Sequence, residues 1–193
     1  MRRVSTTDEP ARYIIPCLFR SPQIVDYHRE LVDEIADRFG LTFTQRQRIP
    51  AHFTLKYHFT TSEIERVEEL LEELASGHAP APLEVGGCGH FGEEVVFVEV
   101  RLSDDAKRVL AALFAALRTL AWMPWSAHDA EHLHPHMTVA EFCGPKFSEV
   151  WKFVQPREHH FAAQIDNVTI LKRIGEEDGI DLWTIHRSFT LGP

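Results

Sequence analysis

A repeat hidden in this 193-residue chain restricts its fold more than any other feature. The order strand, helix, strand, helix occurs twice. Arg12 to Phe19 reads as an apolar strand. Ser21-Pro22 then opens a helix whose Ile24, Leu31, Val32, Ile35 and Phe39 share a face before Gly40 stops it. Ala51 to Phe59 reads as the next strand, and Ser62 to Glu65 as a capping box for a second helix. The series restarts with a strand over 94–102, a helix capped at Ser103 and running to about Ala121, a strand over 136–142 and a helix from about Phe147 to Val154. Arg12 and Glu94 stand 82 residues apart, as do the caps Ser21 and Ser103; His52 and His136 stand 84 apart, as do Ser62 and Lys146. Offsets this constant indicate a duplicated unit. A glycine-broken strand over 83–91 joins the copies, and runs over 162–174 and 180–191 around the acidic turn Gly175 to Gly179 read as a closing hairpin. The expected fold is α+β, a bilobal duplicated β-α-β-α unit. Its pseudo-repeats cover about 12–91 and 94–191 within one domain over 1–193, because no Gly-, Ser- or Pro-rich linker parts them.

The charge balance narrows what such a chain can bind. With 20 basic and 29 acidic residues the net charge is −9. Affinity along a polyanion comes from many Lys and Arg contacts, so a nucleic-acid substrate would be held at a local site, by an end or as a small fragment. Cys17, Cys88 and Cys143 are odd in number and far apart, which argues against a disulfide framework and for buried thiols. No apolar run approaches the ~20 residues of a membrane span. The polar start from Met1 to Pro10 lacks the apolar core of a secretory signal, and the chain is read as a cytoplasmic monomer.

The matching strands of the two copies carry the same short pattern. One reads His52-Phe53-Thr54-Leu55, the other His136-Met137-Thr138-Val139. Residues two apart on a strand share a face, so each strand offers one His/Thr pair to a cleft and one apolar pair to a core. A single His-x-Thr triplet carries little weight. Its recurrence at the matching place in the repeat carries much more. Phosphoryl transfer between oxygens needs a base on the attacking oxygen and an acid on the leaving one, in line across phosphorus. Histidine titrates near neutrality and can serve either role. Threonine hydroxyls can donate to the non-bridging oxygens, where charge gathers. This chemistry needs neither metal nor cofactor.

The paired motifs His52/Thr54 and His136/Thr138, with the duplicated layout over 12–191, resemble those of the two-histidine phosphoesterase superfamily, which includes 2'-5' RNA ligase-like proteins and cyclic nucleotide phosphodiesterases. The resemblance implies antiparallel sheets around a central cleft. It implies action on 2',3'-cyclic phosphates or 2'-5' linkages, on an RNA 3' end or a small cyclic-phosphate nucleotide. His52 and His136 would be the acid/base pair, and Thr54 and Thr138 the phosphate binders.

Other residues are candidates too. Lys56 falls on the His52/Thr54 face by period two, where it could reach a phosphate, and His58 falls at the strand end and surface. Arg46 and Arg48 precede the first motif. His128, His132 and His134 precede the second, and the alternation through His136, with Glu141 beyond, leaves open a metal-dependent enzyme built on the His128–His136 loop. A structural role for His134, orienting His136, competes with that. Phe91 and Trp183 are possible stacking surfaces for a base. A non-catalytic module that binds nucleotides or RNA ends is the other alternative.

Overall fold

The computed structural model describes residues 10–192, and the polar segment over 1–9 lies outside the described residues. Strand β1 (Ala11–Leu18), helix α1 (Pro22–Phe39), the single turn α2 (Phe43–Arg46), β2 (His52–Thr61) and α3 (Ile64–Ser76) form the first copy of the repeat. Strand β3 (Ala81–Phe91) leads to the second copy, β4 (Val95–Leu102), α4 (Asp104–Leu117), β5 (His136–Glu141) and α5 (Phe147–Val154). Strands β6 (His160–Ile165), β7 (Asn167–Glu177) and β8 (Ile180–Thr190) follow. No described helix is long and apolar enough to cross a membrane.

Local chemistry sets most of these boundaries. Gly40 ends α1 at φ 66°, its N–H donating to the Ala36 carbonyl at 2.8 Å. Ser103 caps α4 by accepting from the Ala106 N–H at 3.1 Å. The capping box expected at Ser62 does not form. The helix starts at Ile64, and the Thr61 hydroxyl takes the Glu63 N–H instead, at 2.8 Å. Helix α4 also stops earlier than its composition suggests, at Leu117. Asp178 and Gly179, both at positive φ, form the tight turn between β7 and β8.

The strands assort into two antiparallel sheets, β2-β1-β7-β8 and β5-β4-β3-β6. The run over 162–174, read from sequence as one strand, is divided between them. It breaks after Ile165, so β6 pairs with β3 while β7 crosses to pair with β1. Asn167, fully buried, holds this crossing. It accepts from the Leu18 N–H at 3.1 Å and donates to the Leu18 carbonyl at 2.8 Å, doing with a side chain what a neighbouring strand would do. Strand β3, at the end of the first copy, likewise pairs with β4 of the second. This exchange leaves the two motif strands, β2 and β5, as the edges of their sheets, and there they approach each other. One apolar cluster, with Ile15, Phe53 and Leu55 from one sheet and Val98, Met137 and Val139 from the other, runs between sheets and helices.

Both edge strands carry extra residues. In β2, Thr54 opposes Pro16, Lys56 opposes Ile15 and Phe59 opposes Tyr13, so the pairing slips twice. Leu55 and Lys56 therefore both turn to the core, and Tyr57 and His58 both turn to the other face. Pro16, with no N–H to give to the ladder, sits at one slip. In β5 a single slip puts Val139 and Ala140 in the core and returns Glu141 to the cleft side.

The slips overturn the sequence reading of Lys56 as a substrate-binding residue. Strict alternation would put it beside Thr54, but the extra residue turns it inward, where it is 1% exposed. There its ammonium donates to Asp129 at 3.0 Å and lies 5.2 Å from the centre of the Trp125 ring. Asp129, also buried, accepts as well from the N–H groups of Tyr57 at 3.0 Å and Ser126 at 2.8 Å. Burial alone would raise its pKa, but these bonds and the Lys56 charge hold it below the ordinary value. The pair thus ties the double slip of β2 to the loop before β5. Asp129→Ala leaves a buried, unpaired ammonium and is expected to cost about 3–5 kcal/mol in urea unfolding. Lys56→Met with Asp129→Leu is expected to recover most of that loss; a single variant of wild-type stability contradicts the assignment.

Candidate active site

Between the two edge strands lies a cleft of about 390 Å³. It is lined by His52, Thr54, Tyr57 and His58 from β2 and by His136, Thr138 and Glu141 from β5. The four motif residues thus face one space from opposite sheets. Tyr57 and Glu141 hold matching places in the two copies. The repeat therefore presents a symmetric His/Thr set and then diverges, with a phenol on one side and a carboxyl on the other.

The two imidazoles are held in the same way. Nδ1 of His52 bonds to the carbonyl of Pro50 at 2.9 Å, and Nδ1 of His136 to the carbonyl of His134 at 2.6 Å. A carbonyl only accepts, so each Nδ1 carries the proton, and Nε2 is left as the basic nitrogen of the neutral ring. The ring of His136 is packed edge-on against Phe91 at 5.0 Å and tilted against Phe97 at 4.9 Å. Gly89 makes room for this packing: a Cβ there would lie 2.3 Å from the Phe97 ring. His134 supports His136 through its backbone, and its own Nε2 pairs with Glu99 at 2.9 Å.

A residue the sequence reading passed over completes the site. His28, on α1, lines the cleft, and its Nε2 donates to the carbonyl of Thr138 at 2.9 Å. It ties a helix of the first copy to the motif strand of the second. A signal was present, since His28 falls between Ile24 and Leu31 on the apolar stripe of α1, where an imidazole needs a partner.

Burial lowers the pKa of His28 and of His136. It lowers that of His52 to about 4, against the partial opposition of the Pro50 carbonyl. All three rings are therefore neutral near pH 7. Burial also raises Glu141, and it raises Tyr57 with help from Asp129 and Glu141. An anion entering between the motif strands would reverse the balance at the histidines by favouring a protonated imidazole.

The remaining candidates lie elsewhere or act differently. Arg46 is paired with Asp178 at 2.8 Å, at the turn of the closing hairpin. His58, expected at the surface, is exposed but lines the cleft, with its ring stacked on Trp183 at 5.5 Å. His186 joins β8 to Glu68 of α3 at 2.7 Å, and His78, His90 and His160 bond to near neighbours in sequence. Among the described residues no three His, Cys, Asp or Glu side chains gather as an ion-binding group. Burial raises the thiols of Cys17 to about 12 and of Cys88 and Cys143 to about 11, which leaves them unreactive as nucleophiles.

The family model described as 2'-5' RNA ligase superfamily matches residues 25–177. The chain belongs to that superfamily. Among solved structures, TT0787 of Thermus thermophilus is 18% identical with a TM-score of 0.62, covering 93% of this chain and 97% of its own. E. coli LigT complexed with NADP+ is 13% identical with a TM-score of 0.58, covering 96% and 100%. A protein described as a phosphoesterase is 14% identical with a TM-score of 0.60, with the same coverage. These likenesses establish a common fold of two antiparallel sheets with flanking helices. None of the curated protein sequences matches the chain.

The depressed histidines make stability depend on pH in a definite direction. His52 titrates at about 4 in the folded chain, against about 6.5 when unfolded. The unfolded state binds the proton more readily, so the stability this group confers is complete above about pH 6.5 and is lost as pH falls toward 4. His28 and His136 act in the same direction. The unfolding free energy is expected to drop on going from about pH 7 to about pH 5, less steeply in His52→Gln. A flat profile through that interval would contradict the burial of these rings.

Proposed function

We propose that the chain is a phosphodiesterase that opens 2',3'-cyclic phosphates, or cleaves 2'-5' linkages, at RNA ends or in small nucleotides by acid–base catalysis between His52 and His136. The observation that carries this reading is the matched pair of imidazoles on facing edge strands. Each is fixed through Nδ1 by the carbonyl two residues upstream, with a threonine beside it. Membership of the 2'-5' RNA ligase superfamily and the likeness to a phosphoesterase support the class of reaction. E. coli LigT has been crystallised with 3'-AMP and with phosphate, ligands of the chemistry this cleft would hold.

The steps follow from the environments of the two rings. The substrate phosphate sits between the strands, its non-bridging oxygens accepting from the hydroxyls of Thr54 and Thr138. His52 has the more strongly depressed pKa of about 4, so it is the neutral base. Its Nε2 takes a proton from water as the water oxygen bonds to phosphorus. Glu99, near His134, favours the charged form of His136. With the phosphate present as well, His136 is the ring that carries the extra proton. Its Nε2–H protonates the ribose oxygen as the opposite P–O bond breaks. The product is a phosphate monoester; with a ribose 5'-hydroxyl in place of water as the attacking group, the same two residues would open the cyclic phosphate into a 2'-5' linkage and so join two ends. His28 acts at one remove by holding the Thr138 carbonyl.

His52→Ala and His136→Ala are each expected to lower turnover of a nucleoside 2',3'-cyclic phosphate by about 10²–10⁴-fold, with activity retained in chelator. Wild-type rates in both variants would sink the proposal. Tight nucleotide binding without turnover by the unaltered chain would make the cleft a binding module instead.

A further inference from the structure

The second slip in β2 has no counterpart in β5, and it changes one end of the cleft. Tyr57 and His58 together oppose Ile14, so two successive side chains face the cleft where the repeat supplies one. The ring of His58 lies over that of Trp183 at 5.5 Å and 29°, a stacked pair. Beneath them is a small apolar cluster separate from the main core, formed by Ile14, Leu171 and Trp183 with Ile49 packed against it. Ile14, Ile49 and Trp183 all line the cleft. An apolar floor thus lies at this end of the cleft, on the same lining as the His/Thr set.

We propose that His58, backed by Trp183, is the stacking platform for the heteroaromatic base of the substrate, so that this end of the cleft recognises a nucleoside and not the phosphate alone. The inference rests on the phosphate-centred reading above and assigns the part of the substrate that reading leaves open. Three observations converge on it. His58 is exposed, and among the described residues its ring nitrogens make no hydrogen bond, whereas the rings of His28, His52 and His136 are each held by a carbonyl. Among the described residues its one ring contact is the stack on Trp183. Partial desolvation at the cleft wall and the nearby Arg12 lower its pKa, which favours a neutral stacking ring. At the other end the residue 84 positions on from His58 is Phe142, which packs edge-on against Phe43 and does not line the cleft.

The test compares binding of a nucleoside 3'-monophosphate with binding of inorganic phosphate by calorimetry, in the unaltered chain, His58→Ala and His58→Phe. Loss of the platform is expected to weaken the nucleotide roughly tenfold and leave inorganic phosphate unchanged, with His58→Phe restoring the nucleotide because it keeps a ring. Three results would overturn the assignment: His58→Ala leaving nucleotide affinity intact, weakening both ligands equally, or an unaltered chain that binds the nucleotide no more tightly than phosphate. Because the readout is binding, it is separate from catalysis. A chain that gives the expected pattern but hydrolyses no cyclic phosphate keeps this subsite and loses the proposed reaction.

Discussion

Two backbone carbonyls, those of Pro50 and His134, decide what the cleft can do. Each takes the Nδ1 proton of the histidine two residues downstream, and so fixes both the tautomer and the direction of the ring. Without that bond a histidine on an edge strand is a mobile group with either nitrogen available. With it, Nε2 is the nitrogen left for chemistry on both strands. The rest of the fold brings those two strands together: the crossing of β7 at Asn167 and the pairing of β3 with β4 leave β2 and β5 unpaired on their outer sides.

Edge strands are ordinarily a liability, because their unpaired backbone invites another chain. Here the two edges are turned toward each other and toward a cleft, and both are distorted by extra residues. The distortion changes what lines the cleft on each side. In β5 it brings Glu141 back to the cleft, and in β2 it admits Tyr57 and His58 while sending Lys56 to Asp129. The symmetric part of the site, two histidines and two threonines, precedes the slips. The asymmetric part follows them. A duplicated unit can in this way keep one shared chemistry and acquire a preference for one orientation of substrate.

Much of this was legible in the sequence, and the failures share a cause. The offsets of 82 and 84 residues exposed the duplicated element order, and period two assigned His52, Thr54, His136 and Thr138 to one kind of face, because both signals are local. Lys56 was misplaced because a bulge depends on how β2 meets Pro16 and Ile15, residues some forty positions earlier. The undivided strand over 162–174 was misread for a similar reason. What splits it is the buried Asn167 gripping Leu18, a contact with no local signature. His28 differs, since its place on the apolar stripe of α1 was visible. What the stripe could not show was its partner, the Thr138 carbonyl, 110 residues away.

The central claim is that both Nε2 atoms address one phosphate from opposite sides. The most direct measurement is a crystal structure with a nucleoside 2'-phosphate bound. The expected result has the phosphate between β2 and β5, with Nε2 of His52 and of His136 each within about 2.6–3.2 Å of a different phosphate oxygen. A phosphate held by only one of the two imidazoles, or bound outside this cleft, would contradict it.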